Sequence, residues 1–322
     1  MQEMMIARAA ALLADGTVNR VLGWKKGEFV YDVTPAVFTS EEDLKAGFVY
    51  DDFCGNNLSK YLIKESRKEG KVLVFLKPCD TYSFNQLIKE HRIIRDNVYV
   101  VGVPCDGKIS AEKVKALCDG IIGIKTEGET VTVETLYGDQ TAARADLLAE
   151  RCVSCKSKKH VAYDELMGEE GDIVETDRFD MVAKLEAMSS EERFEFWRNE
   201  LSRCIRCNAC RNVCPACSCE KCIFDNDASG VANKAAADSF EENMFHIIRA
   251  FHVAGRCTDC GECSRVCPQQ IPLHLLNRKF IKDINEFYGD FQAGEDTESR
   301  APLNRYDTED VEPNVVYKRG EN

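Results

Sequence analysis

Two cysteine-rich segments decide the fold of the C-terminal part of the chain: residues 204–215 read CIRCNACRNVCP, and residues 257–268 read CTDCGECSRVCP. Each is a complete C-x2-C-x2-C-x3-C-P run, the spacing that holds 4Fe-4S clusters, because one short turn brings three thiolates together. In such pairs the fourth cysteine of each run ligates the cluster of the other. The crossed assignment predicts two ligand sets: Cys204, Cys207, Cys210 and Cys267, and Cys257, Cys260, Cys263 and Cys214.

Zinc is the alternative ion for four thiolates. Zinc ribbons use two C-x2-C pairs, however, and need neither a third cysteine two residues later nor a Cys-Pro after three more. The runs therefore favour two 4Fe-4S clusters over zinc. Two clusters joined in this way indicate transfer of single electrons.

The composition limits the classes of partner and compartment. The chain has 322 residues, seventeen cysteines and a formal net charge of -13. The negative charge argues against nucleic acid as a partner, because phosphates would be repelled. No secretory signal and no apolar run of membrane-spanning length is visible. We therefore expect a cytoplasmic protein whose thiols are metal ligands and whose partners are proteins.

The N-terminal part is predicted to be an α/β domain with a small parallel or mixed sheet. A strand at 71–76, a helix from about residue 81 to 91 and a strand at 97–102 form one βαβ unit. Cys79 and Cys105 then lie at equivalent strand ends, on the same edge of the sheet. Further elements are a helix at 110–118 and an edge strand at 130–136.

The C-terminal part is predicted to be a mainly α-helical dicluster ferredoxin-like domain. Ser189 to Glu192 form a capping box before one helix, and Pro272 starts another helix that runs to Gly289. Between the runs, a third helix carries Met244, Ile247, Ile248 and Phe251 on one face. The long helix-containing link resembles the helical ferredoxin module of succinate dehydrogenase and heterodisulfide reductase subunits. The expected domains are residues 1–176, residues 177–288 and an extended acidic tail at 289–322.

Four further cysteines form a third candidate ligand set. Cys79 and Cys105 follow neighbouring strands, and the pair Cys152 and Cys155 can close the crevice between them. A helix that starts near Asp80 would direct its positive end at an anionic cluster. From the residues alone, buried structural cysteines remain an equal alternative.

A family resemblance supports this third set. The segments 77–80, 97–105 and Cys152-x2-Cys155 resemble the β subunit of deazaflavin-linked hydrogenases and formate dehydrogenases. Residues 203–222, the second run and Ile271-Pro272-Leu273 resemble the formate dehydrogenase member in particular. In that family the scattered cysteines hold a 4Fe-4S cluster beside a flavin, which implies a third cluster at Cys79, Cys105, Cys152 and Cys155.

The chain also departs from the family at its flavin site. It lacks the N-terminal cysteine and glycine pair and the long glycine- and tryptophan-containing insert after the C-x2-C pair. It also lacks a G-x-G-x-x-G phosphate loop. We expect the FAD and deazaflavin sites to be lost, and we assign no flavin-binding and no catalytic residue.

Cys217, Cys219 and Cys222 follow the first run directly. They are either ligands of a fourth cluster, with a fourth ligand such as Cys54 or Cys118, or packed thiols around the crossed pair. Cys54 and Cys118 themselves are expected to be small buried residues.

The sequence thus predicts an iron-sulfur electron-transfer subunit, without catalysis of its own, in a hetero-oligomeric anaerobic redox complex. It would connect a formate dehydrogenase or hydrogenase catalytic subunit with a flavoprotein or heterodisulfide reductase-like acceptor. The alternative is an FAD-containing oxidoreductase β subunit that itself reduces a deazaflavin or a nicotinamide.

Overall fold

A computed structural model of the chain describes residues 1–155, 159–172, 176–226, 228 and 239–304. Helices alternate with strands in the N-terminal part. Its elements are α1 (Gln2–Ala14), β1 (Arg20–Lys26), β2 (Val33–Phe38), α2 (Glu41–Gly47), α3 (Leu62–Glu65), β3 (Val72–Leu76), α4 (Pro78–Lys89), β4 (Val98–Gly102), α5 (Ala111–Leu117), β5 (Ile121–Glu127), β6 (Thr130–Thr135), β7 (Gln140–Ala143), α6 (Arg144–Leu147), α7 (Glu150–Val153) and β8 (Glu165–Leu166).

The described residues after β8 form helices and loops without a further strand. The helices are α8 (Asp180–Glu186), α9 (Ser190–Ser202), α10 (Ala209–Val213), α11 (Ser239–Val253), α12 (Glu262–Arg265) and α13 (Leu273–Tyr288). No helix of the described residues is both long and apolar enough to cross a membrane.

A five-stranded sheet in the order β2-β1-β3-β4-β8 forms the N-terminal body. β3 pairs in parallel with β1 and β4, whereas β2 pairs antiparallel with β1 at one edge. Every residue of β3 is buried, as in a central strand that is covered on both faces. The predicted combination of a small mixed sheet with a helical C-terminal region is confirmed.

β3, α4 and β4 form the predicted βαβ unit. The two strands pair in parallel, with Leu76 opposite Gly102 at their C-terminal ends. α4 begins at Pro78, earlier than the sequence indicated, because proline has a helical φ and the first turn does not need its N–H. Cys79 therefore lies in the first turn of α4, and Cys105 follows the end of the neighbouring strand.

Strands β5, β6 and β7 form a separate three-stranded antiparallel sheet. The prediction of an edge strand at 130–136 was wrong, because β6 is the central strand of this second sheet. Its alternating pattern indicates which side chains are buried, but it does not indicate how many strands pair with it. Val131 and Val133 are buried and pack in one cluster with Val114 of the predicted helix α5.

The predicted helix ends in the C-terminal region agree with the structure. The Ser189 side chain accepts a hydrogen bond from Glu192 N at 3.2 Å, and the Glu192 carboxylate accepts one from Ser189 N at 2.9 Å. This capping box begins α9. α13 starts after Pro272 and ends at Gly289, whose φ of 87° suits glycine. The buried residues that hold these helices together are Leu201, Phe224, Phe245, Ile271 and Leu273.

α11 exposes several apolar side chains and buries several ionisable ones. Of the four residues predicted to share one face, Met244, Ile247 and Phe251 are exposed and Ile248 is partly buried. The opposite face is buried although it carries ionisable side chains, among them Glu242, His246 and Arg249. A surface helix usually shows the reverse pattern, so the surroundings of the buried face must favour polar groups.

The described part of the predicted tail lies along α4. Gly294 has a φ of 77°, and a Cβ atom there would lie 1.9 Å from a backbone oxygen of α4. Lys89 at the end of α4 donates to Ser299 Oγ at 3.2 Å. Residues 305–322 lie outside the described residues, and the domain boundaries at 176 and 288 stay a prediction.

Candidate iron-sulfur sites

The two cysteine runs adopt the same backbone conformation. In each run, the residues on either side of the second cysteine have positive φ angles: Arg206 (53°), Asn208 (61°), Asp259 (60°) and Gly261 (66°). This left-handed region is uncommon for residues with a side chain, so the surrounding structure enforces it. The turn directs backbone N–H groups at the first cysteine of each run: Arg206 N lies 3.4 Å from Cys204 Sγ, and Asp259 N donates to Cys257.

Site 1 is the hollow around the first predicted ligand set. Its lining includes all four predicted members, Cys204, Cys207, Cys210 and Cys267. Phe245, Ile271 and Leu273 close its apolar side, whereas Cys207 is exposed to solvent. His246 Nε2 lies 3.3 Å from Cys204 Sγ. Burial lowers the pKa of His246 to about 3, so its imidazole is neutral at pH 7.

Site 2 is the group formed by the second predicted ligand set, Cys257, Cys260, Cys263 and Cys214. Burial is the largest cause that raises the pKa of Cys257, Cys260 and Cys263, and the charge of Cys214 raises each further. Cys214 therefore lies beside all three thiols of the other run. The ligand assignment itself stays a prediction.

Short helices explain why the fourth cysteine of each run reaches the other site. Cys210 lies in α10 and Cys214 directly follows that helix, while Cys263 lies in α12 and Cys267 follows two residues after its end. A single helical turn displaces its two ends by about 5 Å along the axis. This displacement is consistent with the prediction that the third and the fourth cysteine of each run belong to different sites.

The spacing of the sulfur atoms fits a cubane cluster better than zinc. A Zn–S bond of about 2.3 Å brings the four sulfurs of a zinc site within roughly 4 Å of one another. Among the described residues, which include all seventeen cysteines, no three cysteine sulfurs lie within 4.8 Å of one another. A cubane places four irons between its thiolates and so holds them further apart.

Site 3 is a hollow between the α/β body and the second run. Its lining contains the four scattered cysteines of the third predicted set, Cys79, Cys105, Cys152 and Cys155. Lys77, Lys108 and Arg151 also line it, and Lys108 N lies 3.3 Å from Cys152 Sγ. Lys77 is paired with the buried Asp80 at 2.7 Å, and Asp259 also lines the hollow. Lys108 and its backbone N–H are therefore the features of the lining that suit an anionic cluster.

Buried structural cysteines were the alternative to cluster ligands for the third set, but two other cysteines fit that description. Cys54 is fully buried in the hydrophobic core of the main sheet. Cys118 packs against the cluster beside the second sheet. None of the site 3 cysteines belongs to either cluster, which distinguishes them from thiols that serve as small apolar residues.

Sites 2 and 3 share a wall. Cys260, a predicted site 2 ligand, also lines the site 3 hollow. Arg151 lies at this wall and donates to Cys260 O at 3.0 Å and to the buried Glu262 at 2.5 Å. The ion pair joins the α/β body to the start of α12, so the two halves of the chain meet directly at the cysteines.

Cys217, Cys219 and Cys222 contact different neighbours. Cys217 donates a hydrogen bond to Cys214 and thereby lowers the pKa of the Cys214 thiol. Cys219 is exposed. Cys222 packs in the helical core and interacts with Arg211. A fourth cluster held by these three thiols stays a prediction.

Sequence reasoning missed the polar side chains that α11 brings to the sites. Neither His246 nor Arg249 is among the site residues that the sequence predicts. A signal was present: Glu242, His246 and Arg249 follow the i, i+4, i+7 spacing of one helical face. That spacing cannot show by itself which face of a helix is buried.

Comparison with known protein families identifies residues 200–271 as a 4Fe-4S dicluster domain. The F420-dependent formate dehydrogenase subunit beta of Methanocaldococcus jannaschii is 26% identical over 86% of this chain and 88% of its own length. The F420-dependent formate dehydrogenase 1 subunit beta of Methanococcus maripaludis is 27% identical over 91% of this chain and 90% of its own length.

A chain in a structure of the F420-reducing [NiFe] hydrogenase complex from Methanosarcina barkeri also aligns, with a TM-score of 0.39 and 14% identity over 62% of this chain and 84% of that chain. A score this low carries no argument about the fold. The resemblance seen in the sequence is confirmed by the two formate dehydrogenase relatives. The chain is therefore an iron-sulfur electron-transfer protein with a 4Fe-4S dicluster domain, related along most of its length to β subunits of F420-dependent formate dehydrogenases.

Proposed function

We propose that the chain conducts electrons through three 4Fe-4S clusters, held at sites 1, 2 and 3 by the cysteine sets defined above. The position of Cys260 carries this proposal. It is a predicted ligand of site 2 and it also lines the hollow of site 3. α10 and α12 in turn join site 2 to site 1. The three clusters would therefore form a series in space, with site 3 at one end, site 2 in the middle and site 1 at the other end.

The side chains around the sites suit this role. A 4Fe-4S cluster accepts and releases one electron at a time. Phe245, Ile271 and Leu273 keep water from one side of site 1, while positive groups line site 3. No catalytic residue is assigned, and the protein's contribution is to hold the cysteines and to set the charge around them.

We propose that the two ends of this series face different partner subunits. Cys207 is exposed at site 1, and the neighbouring Ile205 is 61% exposed. A redox partner could therefore approach site 1 closely. The names of the relatives support a formate dehydrogenase catalytic subunit as one partner, and a hydrogenase-type catalytic subunit is the alternative that the sequence predicts. A flavoprotein or heterodisulfide reductase-like acceptor is proposed as the other, in a hetero-oligomeric complex.

The test is anaerobic analysis of iron, sulfide and flavin in the purified chain, with EPR spectra after stepwise reduction. Three clusters correspond to about twelve irons per chain, two to about eight and four to about sixteen. The double variant Cys152→Ser and Cys155→Ser should contain about eight irons and lack one EPR signal. Cys118→Ser is the matched control, because that thiol packs beside the second sheet, and it should keep about twelve.

Two results would contradict the proposal. Unchanged iron in the double variant would remove Cys152 and Cys155 from the ligand set. About eight irons in the unmodified chain would leave site 3 without a cluster.

The second candidate is an FAD-containing β subunit that itself reduces a deazaflavin or a nicotinamide. The relatives that match most of the chain carry "F420-dependent" in their names. One bound FAD per chain, together with deazaflavin or nicotinamide reduction by the isolated chain, would favour this reading over the three-cluster conductor.

A further inference from the structure

Arg249 is a buried cation without a carboxylate partner in the described part of the chain. It lies in the interior of α11 and is 2% exposed. No oxygen or nitrogen atom of the described residues accepts a hydrogen bond from its three guanidinium nitrogens, and its guanidinium interacts with the Cys263 thiol. Arginine stays protonated in proteins, so the site cannot relieve this charge by releasing a proton. A buried charge of this kind requires an anion nearby.

The neighbours of Arg249 belong to both sites of the dicluster domain. Burial alone would lower the pKa of its guanidinium, but the charges of the surrounding thiols raise it. These thiols are Cys263, Cys210, Cys214 and Cys217. Cys210 is a predicted ligand of site 1, and Cys263 and Cys214 are predicted ligands of site 2. The guanidinium therefore lies between the two sites.

The carboxylate on the same buried face of α11 does not neutralise Arg249. Glu242 has Arg206 within 3.9 Å. No ion pair of Arg249 occurs among the described residues. An anionic group held by the cysteines would satisfy a guanidinium at this position.

We propose that Arg249 is the shared counter-ion of the clusters at sites 1 and 2 and raises the reduction potential of both. The inference rests on the proposed function, because it assumes that both sites hold clusters. Reduction adds a negative charge to a cluster, and a fixed cation beside it stabilises the reduced form. Arg249 does not line site 3, so the potential there should not depend on it.

The experiment compares Arg249→Met and Arg249→Lys with the unmodified chain by anaerobic redox titration monitored by EPR. Removal of the charge should lower the equilibrium constant for reduction about tenfold at sites 1 and 2, a shift of about 59 mV for one electron. The site 3 potential should stay unchanged. Arg249→Lys retains the charge and should keep most of the potential. Arg20→Met is the control for loss of a buried arginine, because Arg20 is 6% exposed in β1.

Each outcome decides the inference. Full iron content with unchanged potentials in Arg249→Met would overturn it, and so would an equal shift at all three sites. If Arg249→Met does not retain iron, Arg249→Lys decides. If Arg249→Lys retains iron and has near-normal potentials, the result supports a requirement for positive charge at this position. If Arg249→Lys loses as much iron as Arg249→Met, the inference is overturned. Absence of iron from sites 1 and 2 in the unmodified chain would instead refute the proposed function.

Discussion

Glu262 holds the α/β body against the cysteine runs, and its replacement by glutamine should destabilise the protein strongly. The carboxylate is 2% exposed. It accepts from Arg151 at 2.5 Å, from Arg265 at 2.7 and 3.0 Å, and from the backbone N–H of Asn57 at 3.2 Å. Glutamine has nearly the same shape, but it is neutral and has only one oxygen acceptor.

The expected loss can be estimated in two ways. Removing one partner of a buried ion pair typically costs about 3–5 kcal/mol, because the other charge remains buried. Independently, the charges of Arg265 and Arg151 outweigh the effect of burial and lower the pKa of Glu262 from 4.5 to about 2. At about 1.4 kcal/mol per pH unit, this lowering corresponds to roughly 3 kcal/mol. We therefore expect Glu262→Gln to lower the free energy of unfolding by about 3–4 kcal/mol at pH 7.

The assay is anaerobic urea titration of the iron-loaded chain, followed by tryptophan fluorescence and by the visible absorption of the clusters. Glu220→Gln is the matched control, because the Glu220 side chain is 78% exposed and 3.6 Å from Arg92. An exposed pair of this kind contributes about 0–1 kcal/mol. A Glu262→Gln variant that unfolds within about 0.5 kcal/mol of the unmodified chain would refute the reasoning.

Two further variants test the surroundings of the sites and the docked tail. His246→Phe removes the imidazole 3.3 Å from Cys204 Sγ; the loss of about 1 kcal/mol of hydrogen bonding should lower the site 1 potential by about 40 mV. His252→Phe, at an exposed position of the same helix, should not change it, and equal potentials in both variants would contradict the role of His246. Gly294→Ala should lower the thermal midpoint more than Gly289→Ala, because both have positive φ but only at Gly294 would a Cβ lie 1.9 Å from a backbone oxygen. Equal midpoints would mean that the tail does not dock on α4.

Local patterns accounted for a large part of the fold. The capping box at Ser189, the helix that ends at Gly289 and the βαβ unit before Cys105 each depend on residues that are close in sequence. The nature of the sites was also predictable, because a C-x2-C-x2-C-x3-C-P run collects three ligands within a single turn and so carries its chemistry in its spacing.

The remaining features depend on residues that are far apart in the chain. Nothing local to residues 130–135 indicates that β6 has a partner on each side. Nothing local to Cys260 indicates that it reaches the hollow around Cys79. The sequence also does not predict the positive φ of Arg206, because an arginine does not favour that conformation and only the surrounding contacts enforce it.

The sequence by itself thus determined that this protein has two cysteine runs with 4Fe-4S spacing and an α/β body, because ligand spacing and helix or strand periodicity are properties of short segments. Only the tertiary structure placed Cys260 at the hollow around Cys79 and Arg249 beside thiols of both runs. An apolar pattern such as that of α11 normally predicts the buried face. Here the buried face carries Glu242, His246 and Arg249 beside the apolar Phe245, Ala250 and Val253. Its ionisable side chains lie beside thiols of the cysteine runs, which residues far away in the chain bring next to the helix.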